Sequence, residues 1–169
     1  MVFGLFGDND KKDKGAAAAP ATSSPTRPGF ESTPGCTALV TGSSGLCGAR
    51  LVEMLLERGA KTVICFDLAA PDDVLAKRFE VAQEATGGKL LFCHGKEGNL
   101  TSDEAVEAAF SKEGVKIDVC YHIAALVGPF HDKELYYGVN YEGTMRIIAM
   151  CKKYKVPKLV YVSLQEDHM

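Results

Sequence analysis

The chain has 169 residues, 46% of them hydrophobic, and a formal net charge of −3. That apolar content suits one globular domain with a core of its own. The mild acidity gives no support to a nucleic-acid partner, which requires a concentrated basic face, and no apolar run approaches the ~20 residues of a membrane span.

Residues 1–34 stand apart. They are charged at first, then rich in Ala, Pro, Ser and Thr, with too little contiguous apolar surface to offset the entropy of ordering. They are read as a disordered tail, with the folded domain over 35–169. The opening "MVFGLFG" is too short for a signal-peptide core, and Asp8, Asp10 and Asp13 argue against a transit peptide.

From Cys36 onward short apolar runs alternate with helical patterns. "CTALVT" is continuous in polarity and reads as a strand buried on both faces. "LCGARLVEMLLERG" follows as a helix with Leu51, Val52, Leu55 and Leu56 inward and Gly59 as its stop. "KTVICFD" is a second strand. Pro71 is expected to open a second helix that runs to about Ala85 and halts at Gly87-Gly88. "KLLFCHG" is a third strand, and "TSDEAVEAAFSKEG" a helix capped by Thr101 or Ser102. "IDVCYHIAA" is a fourth strand, a long helix spans about Lys133 to Tyr154, and "KLVYVS" is a fifth strand.

This alternation predicts an α/β fold: a doubly wound parallel sheet of the Rossmann type, with about five strands in the order 3-2-1-4-5. The last strand is left as an apolar edge in "LVYV", expected to aggregate or to pair with another chain. The six cysteines at 36, 47, 65, 93, 120 and 151 form no CxxC pair and are read as reduced and structural. His94, His122, His131 and His168 lack metal-ligand spacing, so no metal site is expected; His122, ending a buried strand, reads as packing.

The sharpest signal is "LVTGSSGLCG" between the first strand and the first helix. Gly42 permits the tight turn, Gly45 lets backbone approach a pyrophosphate, and Gly48 lets the helix pack close to the sheet. The helix N-terminus then faces the phosphates. Ser43 and Ser44 are suited to phosphate or turn hydrogen bonds. Asp67 ends the second strand roughly 20 residues on, where a carboxylate accepts the ribose hydroxyls and repels the extra phosphate of NADP. NAD is the expected cofactor, with NADP left open because Arg50 lies near in sequence.

The spacing TGxxGxxG, Thr41 to Gly48, resembles the extended short-chain dehydrogenase/reductase family. "GNL" (98–100) resembles its adenine-binding segment, with Asn99 in place of an aspartate. "YHIAA" (121–125) resembles the turn after the fourth strand, and "VNYEGT" (139–144) the helix whose asparagine, here Asn140, ties it to that strand. "KELYYGVNYEGT" followed by "CKKYKVPKLVYVS" is most similar to the 3β-hydroxysteroid dehydrogenase branch, in particular sterol-4α-carboxylate 3-dehydrogenases. The resemblance implies cofactor contacts from Gly42, Ser44, Gly45, Leu46, Cys47, Gly48, Asp67, Asn99, Leu100, Ile123, Ala124, Ala125 and Asn140. It also implies NAD-dependent oxidation of a sterol or other small-molecule alcohol, a homodimer as one assembly, and a location on the cytoplasmic side of the endoplasmic reticulum.

In that family a serine, and a tyrosine with a lysine four residues on, act on the alcohol. Here Leu164, Gln165, Glu166 and Asp167 stand where the serine run is expected, and no YxxxK follows. The expectation is a truncated form with its catalytic residues unassigned. Two alternatives remain open at this point: a nucleotide-sugar epimerase or dehydratase of the same family, and a non-catalytic NAD-binding module.

Overall fold

A computed structural model describes residues 34–162. The tail expected over 1–34 therefore lies, but for Pro34, outside the described residues, as do Ser163 and the polar segment after it. The strands are β1 (Thr37–Thr41), β2 (Thr62–Asp67), β3 (Lys89–His94), β4 (Val119–His122) and β5 (Lys158–Tyr161). All pair in parallel, in the order β3-β2-β1-β4-β5. The helices are α1 (Leu46–Glu57), α2 (Asp73–Thr86), α3 (Asp103–Phe110), α4 (Lys133–Tyr136) and α5 (Thr144–Lys153).

Alternation along each strand builds the two layers, because successive side chains leave a strand on opposite faces. Ala38 and Val40 of β1 join Val63 and Cys65 of β2 against Val52, Leu55 and Leu56 of α1 and Phe79 of α2. Leu39, Ile64 and Phe66 face the other way, onto Val106, Ala109 and Phe110 of α3 and Ile147 of α5. Both faces of β1 and β2 are thus covered, which is why those strands read as continuous apolar runs. Glu53 is buried on α1 and accepts hydrogen bonds from Arg50 and from Arg78 of α2, pinning the two helices together.

Four details depart from the expected elements. Helix α2 begins at Asp73 rather than at Pro71, since Asp72 acts as N-cap and its carboxylate accepts the Leu75 amide at 2.8 Å. Strand β4 stops at His122 rather than Ala125, because the Thr41 hydroxyl takes the amides of Ile123 and Ala124 that a ladder would need. The helix expected over 133–154 is not uniform: wide π turns over Tyr137–Gly143 join α4 to α5. Cys47 is exposed, whereas the other five cysteines are buried; all six are free thiols.

Strand β5 forms one edge of the sheet, and Leu159, Val160 and Tyr161 are exposed there. No helix among the described residues is long and apolar enough to cross a membrane. The cap at Asp72 is directly testable. Asp72→Ala should lower the unfolding free energy in urea by about 1 kcal/mol, and Asp72→Asn should retain most of that stability, because an amide oxygen still accepts the Leu75 amide.

Candidate functional site

The strand order reverses at β1, whose neighbours are β2 on one side and β4 on the other. In an open α/β sheet such a switch leaves a crevice at the carboxyl ends of the strands. A cleft of about 450 Å³ lies there, lined by Gly42, Gly45, Leu46, Cys47 and Gly48 from the glycine loop, Asp67 from β2, Asn99 and Leu100 from the turn after β3, and Ile123 to Ala125 from the turn after β4. Regions distant in sequence, read separately for their cofactor chemistry, meet at one place. A larger groove of about 760 Å³ runs between α1 and α2, away from the strand ends, past Glu53, Val74, Arg78 and Val81.

The loop's fit to a diphosphate rests on missing side chains. Gly42 has φ +71°, and a Cβ there would lie 2.9 Å from the Ala124 nitrogen. A Cβ on Gly48 would lie 1.9 Å from the Gly42 carbonyl oxygen, inside any tolerable contact. Backbone therefore meets backbone on both sides of the turn. The first-turn amides of α1, which have no intrahelical partner, follow directly.

Asp67 is fixed from two directions. One carboxylate oxygen accepts the Ser44 amide at 2.9 Å, and the other accepts the Ala69 amide at 3.0 Å. Each oxygen keeps a lone pair for a further donor such as a ribose hydroxyl. Arg50 is engaged elsewhere: its guanidinium binds Glu53 and Glu57 at 3.0 Å each, along α1.

Three expected residues take different parts. Ser44 does not line the cleft; its hydroxyl donates to the Ala69 carbonyl, so it closes the loop onto the end of β2. Asn140 also stands behind the lining. Its side chain donates to the Leu126 carbonyl at 2.9 Å and accepts the Leu126 amide at 2.8 Å, which ties the π turns to the chain just after β4. Asn99 lines the cleft, yet its amide oxygen is engaged within the turn, where it accepts both the amide and the hydroxyl of Thr101. The nearby apolar residues Phe66, Leu68, Leu126, Val127 and Val139 line the cleft and were not singled out from sequence. Gly98 is a third close backbone approach, since a Cβ there would lie 1.9 Å from the Asp67 carbonyl oxygen.

His122 is buried at the end of β4, between Thr41 and Thr144. Burial alone pushes its pKa down to about 4, so it is neutral at pH 7. Among the described residues no cluster of three or more His, Cys, Asp or Glu side chains could hold a metal.

Sheet order, glycine loop and acid together define a dinucleotide-binding domain. The chain belongs to the NAD dependent epimerase/dehydratase family, whose pattern matches residues 38–166. It is 35% identical over 137 residues to the UDP-glucose 4-epimerase of Caenorhabditis elegans, covering 74% of this chain and 37% of that protein. It is 32% identical over 128 residues to the human sterol-4-alpha-carboxylate 3-dehydrogenase, decarboxylating, covering 76% and 28%. The chain thus spans about a third of the length of the curated relatives it matches. Among solved structures it resembles Pen from Bacillus thuringiensis, with a TM-score of 0.61, 20% identity, and coverage of 77% of this chain and 39% of that one. It also resembles WbmG from Bordetella bronchiseptica in complex with NAD and UDP, with a TM-score of 0.57, 23% identity, and coverage of 73% and 36%. At these identities the structural likeness establishes the fold.

Two outcomes test this geometry. Gly48→Ala should abolish NAD binding in a calorimetric titration. It should also cost more stability than the ~1–3 kcal/mol of ordinary overpacking, because the clash is with backbone that cannot rotate away. Lowering the pH should destabilise the protein as the unfolded chain protonates His122 first. Its folded pKa is depressed, so its contribution is fully present above about pH 6.5 and is lost as pH falls through about 4. Urea unfolding across that window should lose about 3 kcal/mol on this account, and His122→Gln should remove that part of the slope.

Proposed function

We propose that the cleft at the ends of β1, β2 and β4 binds NAD, and that the chain is the cofactor-binding part of a dehydrogenase acting on a 3β-hydroxysteroid or 4α-carboxysterol. The carrying observation is the pairing of the Gly42–Gly48 cradle with Asp67, whose carboxylate is already oriented by the Ser44 and Ala69 amides. The glycine turn and the start of α1 would receive the diphosphate. Asp67 would accept the ribose hydroxyls of the adenosine half, with Leu100 and Leu68 as apolar flanks for the base. Ala124 and Ala125 leave room for the second half of the cofactor against the turn after β4. When bound, NAD supplies a hydride acceptor for an alcohol carbon.

The preference for NAD over NADP rests on Asp67 and on Arg50. The first would repel a 2′-phosphate, and the second is occupied by Glu53 and Glu57 rather than free to receive one. The sterol reading is supported by the human relative named above and by the apolar lip of the cleft, where Leu126, Val127 and Val139 offer no polar group to a sugar. The epimerase reading, with a nucleotide sugar as substrate, is favoured by the relative from Caenorhabditis elegans.

Calorimetric titration of the chain decides the cofactor. NAD should bind, and NADP should bind more weakly. Asp67→Ala should weaken NAD roughly 10- to 100-fold, as the loss of a hydrogen bond to a charged group predicts, and should narrow the gap between the two cofactors. Absence of heat with NAD, together with unprotected amides over residues 42–48, overturns the reading.

A further inference from the structure

Behind the cleft four residues form one unbroken string of hydrogen bonds. Thr41 ends β1, His122 ends β4, and the two are register partners in the sheet. The Thr41 hydroxyl lies 2.7 Å from His122 Nδ1, and His122 Nε2 lies 2.9 Å from the Thr144 hydroxyl at the start of α5. Thr144 donates to the Asn140 carbonyl at 2.7 Å. Asn140 then clamps Leu126 through both atoms of its side-chain amide.

The protons of this string can be placed in one way. A hydroxyl has a single proton to donate. Thr144 directs its own to Asn140, so it can only accept from the imidazole, and Nε2 must carry the hydrogen. Nδ1 is then an acceptor, and Thr41 donates to it. That leaves the lone pairs of the Thr41 oxygen for the amides of Ile123 and Ala124, each at 3.1 Å. A proton on Nδ1 would bring a third donor to the Thr41 oxygen and leave the Thr41 hydroxyl without its acceptor. The groups packed on the ring are Thr41 from β1, Thr144 from α5 and Tyr161 from β5, stacked with ring centroids 5.4 Å apart, and none of them is charged. The string accommodates the neutral ring alone.

We propose that this string is a positioning device: the neutral Nε2–H imidazole of His122, held between Thr41 and Thr144, seats the Ile123–Leu126 segment against Gly42 and thereby sets the affinity of the cleft for the dinucleotide. The proposal rests on the NAD reading above. The reason lies in the tolerances. The site of the absent Gly42 Cβ is 2.9 Å from the Ala124 nitrogen, so a small displacement of the 123–126 segment changes the floor of the cleft directly. Its two anchors sit at opposite ends: Thr41 holds Ile123 and Ala124, and Asn140 holds Leu126. The imidazole and Thr144 connect those anchors across the sheet. The π turns have a role here, because they present the Asn140 side chain to Leu126 while its carbonyl meets Thr144. His122 and Thr144 are positioning residues in this account; neither lines the cleft.

Two measurements on the full chain test the device. Nitrogen-15 NMR of the unmodified protein without NAD should find His122 as the Nε2–H tautomer at neutral pH; an Nδ1–H tautomer or an imidazolium overturns the proposal. Calorimetric titration with NAD should find Thr144→Val about tenfold or more weaker than the unmodified chain, and Thr144→Ser within about threefold of it, since serine keeps the hydroxyl and valine keeps only the shape. Equal affinity for the valine and serine variants overturns the proposal, whereas the expected split supports it. If Thr144→Val does not fold, the tautomer decides. An unmodified chain that ignores NAD removes the proposed function itself, while one that binds NAD with matched variants removes only the positioning role.

Discussion

Contact between bare backbones at Gly42 governs this molecule. The carbonyl of Gly42 abuts Gly48 at the start of α1, and its α-carbon abuts Ala124 after β4, with no side chain between them. Such approach draws a helix end and two strand ends into one small volume. It is what makes the carboxyl edge of the sheet concave at the point where strand order reverses. A methyl group at either glycine would push the pieces apart by more than packing could recover.

The polar groups nearby keep that approach in register. Asp67 grips the glycine loop through Ser44 and the following turn through Ala69, so a carboxylate suited to ribose is also a brace for the backbone beside it. Gly98 brings the turn after β3 down onto the Asp67 carbonyl. On the other side Thr41 and His122 join β1 to β4 by side chains as well as by the ladder. The cleft is therefore bounded by groups whose orientations are set before any ligand arrives, which lowers the ordering cost of binding.

Polar and apolar readings of the site complement one another. One end of the cleft combines glycines with a carboxylate, as a phosphorylated sugar requires. The other end is formed by Leu126, Val127 and Val139. Membership of the NAD dependent epimerase/dehydratase family is consistent with the first end, and relatives with sterol and nucleotide-sugar names share this same third of their length with the chain.

What the amino-acid sequence determined by itself was periodic or local. Runs such as "TALVT" and "TVICFD" carry apolar residues at consecutive positions, Ala38–Val40 and Val63–Phe66, because both faces are covered, and that reads directly as buried parallel strands. The loop of Gly42, Gly45 and Gly48 and the acid at Asp67 were legible because steric need for glycine and a charge at a strand end leave marks at fixed spacing. Tertiary structure decided whatever depended on partners far along the chain. The carbonyl that excludes a Cβ at Gly98 belongs to Asp67, the hydroxyl that ends β4 belongs to Thr41, and the amide that Asn140 grips belongs to Leu126. The start of α2, expected at Pro71, lies at Asp73 because the Asp72 hydrogen bond to Leu75 outweighs the fixed φ of the proline as a helix-opening signal. The neutral state of His122 is the clearest case: a histidine at a strand end has one ordinary pKa in sequence, and only its burial in the fold, between the hydroxyls of Thr41 and Thr144, holds it unprotonated.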